Sequence, residues 1–162
     1  MDWRETDSTR CSVARTAAVV GDGWTVLVLR DLFNGLRRFD ELAVHLGVAR
    51  NVLTRRLAAL TEAGVITRVP YREPGARARH EYRLTDAGRD LLPVILAMVA
   101  WGDRHRAGAD GPPVLVEHTG CGAPVHVEVR CAEDHLLDPP AGRLRSVPGP
   151  GARAGLGAGS GG

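Results

Sequence analysis

Two short amphipathic helices separated by a glycine-containing turn constrain the fold of this chain more than any other feature. Between residues 37 and 64, apolar residues recur at spacings of three and four in two runs, as they do on one face of a helix. The first run is Phe39, Leu42 and Leu46, and the second is Leu53, Leu57 and Leu60. Gly47 and Gly64 follow the runs at positions where helices commonly end. The pattern therefore predicts a helix at about 39–46, a tight turn and a second helix that ends at Gly64.

The stretch after Gly64 is typical of a β-hairpin. The segments VITRVP at 65–70 and HEYRL at 80–84 are rich in β-branched and aromatic residues, and Pro74-Gly75 between them favours a turn. A helix-turn-helix followed by a two-stranded hairpin is the element order of a winged helix-turn-helix. We therefore predict a mainly α fold with a small β-hairpin wing, and a small β-hairpin-like extension at its C-terminal side.

Arginines cluster in this same region. Residues 36–83 hold 10 arginines against 5 acidic residues, although the net charge of the whole chain is only +2. A basic helix beside a basic hairpin suits the major groove and backbone of duplex DNA, whereas the alternative for any single arginine is a solvated helix face. The predicted DNA-binding residues are Arg37, Arg38, Arg50, Asn51, Thr54, Arg55, Arg56, Arg72, Arg77 and Arg79. We expect Arg50, Asn51 and Arg55 to contact base edges, and Arg77 and Arg79 to contact phosphate or the minor groove.

Four segments give the chain a family resemblance. They are CSVARTAAVVGDGWTVLVLRDL at 11–32, RRFDEL at 37–42, VLTRRLAALTEAGVITR at 52–68 and HEYRLTDAGRDLLPVILAMVAWGDRH at 80–105. In these segments the chain resembles the HxlR-type branch of bacterial MarR-like winged-helix transcriptional regulators. It departs from that family at Ser12, where proline is usual, and at Asp22-Gly23, where a Gly-Lys pair is common. The resemblance implies a dimeric repressor or activator that binds an operator near a promoter, and we expect a repressor with a palindromic operator.

Helices are also predicted on both sides of the winged helix. We expect helices at 12–20 and 24–33, with Trp24 and Phe33 in the core, and a long helix at 86–105 after Thr85 as its N-cap. Pro93 should kink the long helix or start a new turn. Apolar residues surround too much of its axis for one buried stripe, which predicts a homodimer.

The chain divides into three predicted regions. Residues 1–110 form the DNA-binding and dimerisation domain, residues 111–138 form a small extension that contains Cys and His, and residues 139–162 form a disordered tail with 8 glycines and 4 prolines. No apolar run approaches the roughly 18 residues of a membrane span, and the N-terminal segment has no hydrophobic targeting sequence. We therefore expect a cytoplasmic protein with no membrane partner.

Cys11 is a candidate redox-sensing residue. It lies just ahead of the first predicted helix, with Arg10 and Arg15 nearby, and such surroundings favour a thiolate. The resemblance adds that related regulators sense electrophiles, quinones or oxidants through a cysteine at the matching position. The alternatives are an inert, half-buried thiol and a regulator that responds to a different small molecule.

The extension holds a candidate metal site. His118, Cys121, Cys131 and His135 follow the pattern H-x2-C-x9-C-x3-H, and tetrahedral zinc accepts these ligand types. Two interpretations of this segment are possible, a zinc-dependent protein-interaction module and an ordinary β-hairpin without metal. We expect no other cofactor. We also expect no enzymatic activity, because no nucleophile, base and orienting group occur at a recognisable spacing.

Overall fold

The computed structural model describes residues 11–72, 75, 77–137 and 144–150. The chain divides into two compact units, one of Met1–Thr16 with Glu128–Gly162 and one of Ala17–Val127. The secondary-structure elements are α1 Ser12–Val20, α2 Gly23–Phe33, α3 Phe39–Leu46, α4 Arg50–Glu62, β1 Ile66–Tyr71, β2 Arg79–Leu84, α5 Asp86–Arg89 and α6 Leu92–Arg106. This order confirms the predicted winged helix-turn-helix.

The apolar core of the larger unit is built around α2, α3 and α4. Its buried residues are Val28, Leu29, Leu32, Leu42, Val48, Leu53, Leu57, Leu60, Val65, Ile66 and Ile95. Every leucine of the predicted apolar face of α4 is at most 1% exposed. Burial of three leucines on one side of α4 leaves its opposite side to solvent, as the spacing predicted.

The turn between α3 and α4 begins with a glycine in a conformation that other residues rarely adopt. Gly47 has φ +61° and ψ +23°, in the left-handed region, and its N–H donates to the carbonyls of Ala43 and Val44. Val48 then points into the core, and α4 begins at Arg50. At the other end of α3, the Glu41 carboxylate accepts from the backbone N–H of Arg38 at 3.0 Å. These contacts close the two ends of α3.

The hairpin joins α4 through a second left-handed glycine, Gly64, with φ +70°. Strands β1 and β2 are antiparallel, with a register that runs from Ile66 opposite Leu84 to Tyr71 opposite Arg79. Gly88 of α5 packs so tightly below the hairpin that a Cβ atom there would lie 2.1 Å from the carbonyl oxygen of Val65. Only glycine allows this approach.

The predicted long helix at 86–105 is not continuous, and a new helix starts beside Pro93, one of the two outcomes expected there. It is divided into α5 and α6, and Pro93 lies in the first turn of α6, where its missing N–H costs no hydrogen bond. Thr85 caps α5 as expected, because its Oγ1 accepts from the N–H of Gly88 at 3.1 Å. The prediction that Trp24 lies in the core was wrong, since its side chain is 38% exposed, whereas Phe33 packs against the core as expected.

Two short turns, each closed by backbone hydrogen bonds, replace the single hairpin expected in the extension. In the first, the N–H of Val125 donates to the carbonyl of Val116, and the N–H of His118 donates to Ala123. The second turn belongs to the smaller unit, and there the N–H of Leu137 donates to the carbonyl of Val129. Only isolated bridges form there among the described residues. The predicted disordered tail lies mostly outside the described residues, and its described part, 144–150, contains no helix or strand.

No single helix in the described part of the chain has the length and apolarity to cross a membrane. The pair α1 and α2 together passes that test by length and composition, with a bend of 79° between them.

Candidate nucleic-acid interface

The solvent side of α4 carries a row of polar side chains. Arg50, Asn51, Thr54 and Arg55 are all exposed, directly opposite the buried leucines. The Thr54 hydroxyl donates to the carbonyl of Arg50 at 2.8 Å, and the Asn51 side-chain oxygen accepts from the N–H of Val52 at 2.8 Å. Arg55 has no ion pair or hydrogen bond with the described residues. Its guanidinium is therefore available to a ligand outside the chain.

Two other arginines of α4 are already paired with carboxylates. Arg50 lies 2.8 Å from Asp40 and stacks over the Phe39 ring at 4.6 Å. Arg56 is directed away from the exposed row and forms an ion pair with Asp22 at 2.9 Å, with its side chain only 33% exposed. Its Nε atom is buried without a hydrogen-bond partner among the described residues. Arg56 therefore links α4 to the N-terminus of α2, a role that the sequence pattern did not reveal.

The arginines before α3 lie against the hairpin. The carbonyl of Arg37 accepts from the N–H of Tyr82 at 2.8 Å, and Arg38 forms a backbone bridge with Glu81. The Arg38 guanidinium stacks over the Tyr71 ring at 4.7 Å. The start of α3 and the base of the wing are thus joined into one surface.

The wing carries its predicted arginines on the outside. Arg77 and Arg79 are exposed, and Gly75 at the tip has φ +77°, as the turn requires. Arg72, which follows β1, is also exposed. The remaining tip residues 73, 74 and 76 lie outside the described residues.

A polar groove of about 420 Å³ lies between the wing, the start of α3 and the start of α4. Its lining residues are Arg38, Phe39, Asp40, Glu41, Arg50, Arg68, Tyr71, Arg79, His80 and Tyr82. Sequence reasoning missed Arg68 and His80, which come together only through the strand register. Arg68 Nη2 lies 3.3 Å from His80 Nδ1.

One buried carboxylate fixes α3 against α2. Asp31 is 1% exposed, and its two oxygens lie 2.7 Å from Arg30 Nη2 and 2.7 Å from His45 Nδ1. A buried charge is tolerated when it is fully hydrogen-bonded in this way. Asp31 therefore positions the helix that precedes α4, and no motif in the sequence indicated it.

Helices α1 and α6 leave several of their apolar side chains exposed. Of the 15 residues of α6, only Ile95 is buried, whereas Leu92, Val94, Met98 and Trp101 are 39–56% exposed. Helix α1 has no buried residue. Large exposed apolar patches are typical of surfaces that contact another protein, a membrane or a ligand.

The candidate sensing and metal residues lie on three segments of the chain, at 11, 118–121 and 131–135. Cys11 is a free, partly buried thiol at the start of α1, where its carbonyl accepts from the N–H of Arg15 at 3.0 Å. In the first turn of the extension, His118 Nδ1 lies 3.3 Å from Cys121 Sγ. In the second, His135 Nδ1 lies 3.5 Å from Cys131 Sγ. Within the described residues, no group of three or more His, Cys, Asp or Glu side chains could hold a metal ion.

Comparison with known proteins gives a consistent result. Residues 19–109 match the family model described as HxlR-like helix-turn-helix. An uncharacterized HTH-type transcriptional regulator of Mycobacterium tuberculosis is 42% identical over 146 residues, which cover 90% of each chain. Another such regulator, YdeP of Bacillus subtilis, is 33% identical over 111 residues, which cover 68% of this chain and 85% of that protein.

Solved structures show the same fold. A crystal structure described as a candidate transcription factor, PA1607, superposes with a TM-score of 0.78 at 38% identity and covers 86% of this chain and 96% of its own. The redox regulator HypR, in its reduced form, superposes with a TM-score of 0.54 at 30% identity and covers 59% of this chain and 94% of its own. The additional length shared with the first structure, but not with HypR, shows that a segment beyond the winged helix also occurs in some relatives.

Proposed function

Because this chain belongs to the HxlR-like helix-turn-helix family of transcriptional regulators, we propose that it is a repressor that binds a palindromic operator near a promoter as a homodimer. The observation that carries this proposal is the two-sided character of α4, with three buried leucines on one side and an exposed polar row that includes the unpaired Arg55 on the other. A helix of this kind, held rigidly at one face, suits insertion into the major groove.

The contacts are divided between reading and positioning. We propose that Arg50, Asn51, Thr54 and Arg55 approach base edges, while Arg37, Arg38, Arg72, Arg77 and Arg79 contact the backbone or minor groove. Arg56 was included among the DNA contacts on sequence grounds, but its ion pair with Asp22 favours a supporting role.

The apolar surface of α6 supports the proposed dimer. A second copy would cover Leu92, Val94, Met98 and Trp101, whose exposure within one chain is unfavourable. Two reading helices related by two-fold symmetry would then meet half-sites about one helical turn apart, or a multiple of it.

A mobility-shift assay with the DNA upstream of the protein's own gene tests the proposal, with light scattering on the free protein. We expect a discrete complex that survives competition by unrelated duplex, and a particle mass of two chains. A monomer at micromolar concentration, or a complex removed equally by any duplex, would contradict it.

For the effector we propose a thiol-reactive compound that acts in the cytoplasm on Cys11. The thiol is free and partly exposed at the start of α1, a helix that buries none of its own residues. The relative HypR is described as a redox regulator and has been solved in reduced and oxidised forms. A non-redox ligand is the alternative, and it would leave Cys11 without influence on DNA binding.

The zinc hypothesis stays a prediction. Each of the pairs His118–Cys121 and Cys131–His135 offers an imidazole and a thiol, two ligand types that zinc accepts, while the described residues bring no three such groups together. Protein purified without chelator should contain about one zinc per chain by elemental analysis, and Cys121→Ser should release it. Zinc-free protein with both cysteines reduced would instead support a pair of metal-free turns.

A further inference from the structure

We infer that the groove between the wing and the starts of α3 and α4 receives one backbone phosphate of the DNA, bound by Arg68 and His80. The inference rests on the proposed function and deepens it, since neither residue belongs to the row on α4 or to the wing tip. Both side chains are exposed and line the groove from the hairpin.

The charge of the groove favours an anion. Four arginines line it against two carboxylates, those of Asp40 and Glu41. Asp40 is engaged by Arg50 at 2.8 Å, and Glu41 lies 3.9 Å from Arg38. Arg68 and Arg79 have no carboxylate partner among the described residues. The positive charge that is not compensated within the groove therefore lies on its hairpin side.

The contact between Arg68 and His80 leaves N–H donors in the groove that can bind a phosphate. Arginine can only donate, so the Arg68 Nη2 contact with His80 Nδ1 makes that nitrogen the acceptor and leaves the ring proton on Nε2. The histidine thus restrains the guanidinium and still provides an N–H donor of its own. A planar guanidinium with additional N–H groups is well suited to phosphate oxygens.

The aromatic residues argue against a planar aromatic effector in this place. The Phe39 ring is covered by Arg50 at 4.6 Å, and the Tyr71 ring is covered by Arg38 at 4.7 Å. These stacked pairs leave the groove with polar edges rather than two open ring faces. A tetrahedral anion needs only such edges.

Free phosphate and a DNA phosphate share this chemistry, and the position of the groove favours DNA. Arg50 lines the groove and also begins the exposed row of α4, so the two surfaces are continuous. A duplex that places a base edge against that row passes its backbone beside the same residue. Phosphate contacts of this type fix the register of a reading helix without carrying sequence information.

The test compares Arg68→Ala with Arg83→Ala on a duplex taken from the upstream region that the protein protects. Arg83 lies on β2, pairs with Glu81 and is not among the residues of the groove, so its loss removes the same charge from the same hairpin. We expect Arg68→Ala to weaken binding about 5-fold at 0.15 M salt and to reduce the slope of log Kd against log salt by about 0.9, as for one lost phosphate contact. Arg68→Lys should recover part of the loss, and His80→Gln should show a smaller loss of the same kind.

Duplexes with single neutral methylphosphonate linkages identify the phosphate. At one linkage in each half-site, the native protein should lose affinity, whereas Arg68→Ala should lose no more, because the two changes remove the same contact. If no linkage couples to Arg68, or if Arg83→Ala shows the same coupling, the inference is wrong while the proposed function stands. If the native protein binds no duplex, both fail.

A second arm separates the two sources of phosphate. Inorganic phosphate is titrated into native protein and into Arg68→Ala, with the His80 ring resonances as the readout. Weak binding of phosphate that added duplex displaces would support the inference. Phosphate that stays bound when duplex is present, together with an unchanged DNA affinity in Arg68→Ala, would assign the groove to a free anion and overturn it.

Discussion

Helices α4 and α6 differ in how much of their apolar surface is buried within one chain. Helix α4 has 13 residues and buries Leu53, Leu57 and Leu60 to at most 1% exposure within its own chain. Helix α6 has 15 residues and buries only Ile95, while Met98 and Trp101 are 49% and 56% exposed. The apolar side of α4 is fully covered within one chain, whereas much of the apolar surface of α6 stays exposed.

The difference separates the two tasks that the proposed function assigns to this protein, DNA binding and dimerisation. The polar face of α4 is free for DNA because its other face is fixed by the core, so its stability does not depend on a second chain. Burying the apolar surface of α6 against a partner would stabilise the complex by roughly 25 cal/mol per Å² of apolar area removed from water. We therefore expect mutations in the core of α4 to lower the stability of the chain, and mutations on the exposed side of α6 to weaken association.

The largest effect is expected in the core of α4. Leu57→Ala leaves a cavity at a residue that is 1% exposed, and it should lower the free energy of unfolding by about 2–5 kcal/mol. Denaturant unfolding at a fixed protein concentration measures this. Val44→Ala on α3, at an 84% exposed position, is the control and should change stability by less than about 0.5 kcal/mol. A similar loss in both variants would contradict the assigned core.

The second effect separates association from folding. Met98→Asp should raise the dimer dissociation constant about a hundredfold, because a carboxylate would be buried in an apolar interface. The secondary structure should be retained, since Met98 is half exposed within one chain. Sedimentation equilibrium gives the constant, and Val44→Asp supplies the same charge outside the proposed interface. An unchanged dimer in Met98→Asp would place the interface elsewhere.

The third effect concerns the signal. If Cys11 couples thiol chemistry to the dimer, diamide should weaken operator binding of the native protein roughly 5- to 150-fold, the usual range of allosteric coupling. Cys11→Ser should bind as tightly as the untreated protein and should not respond. A native protein that keeps its affinity, or a serine variant that loses as much, would show that Cys11 is structural.

Local patterns predicted most of the fold. The bounds of α3 were recovered because Phe39 and Gly47 mark its ends in the sequence, and the hairpin was recovered because turn residues separate two β-rich segments. The division of the long helix into α5 and α6 was expected in outline, as a kink or a new turn at Pro93. The packing of α5 was not predicted, because the close approach of Gly88 to Val65 is a tertiary contact.

The site was predicted less completely, because several of its partners are distant in sequence. The ion pair of Arg56 with Asp22 and the contact of His45 with Asp31 join different helices. No periodicity within one helix could indicate either pair. Arg68 and His80 meet only through the register of β1 and β2, so the groove was not predicted either.

The exposed face of α4 is tested most directly by sequence discrimination. Fluorescence anisotropy would compare the upstream duplex with a shuffled duplex of equal length and composition, for native protein, Arg55→Ala and Arg77→Ala. The native protein should prefer the upstream duplex. Arg55→Ala should lose about 1–3 kcal/mol on that duplex and most of its preference, while Arg77→Ala should weaken both duplexes alike and reduce the salt slope by about one unit. Equal affinity of the native protein for both duplexes, or an unchanged preference in Arg55→Ala, would contradict the assignment of α4 as the reading helix.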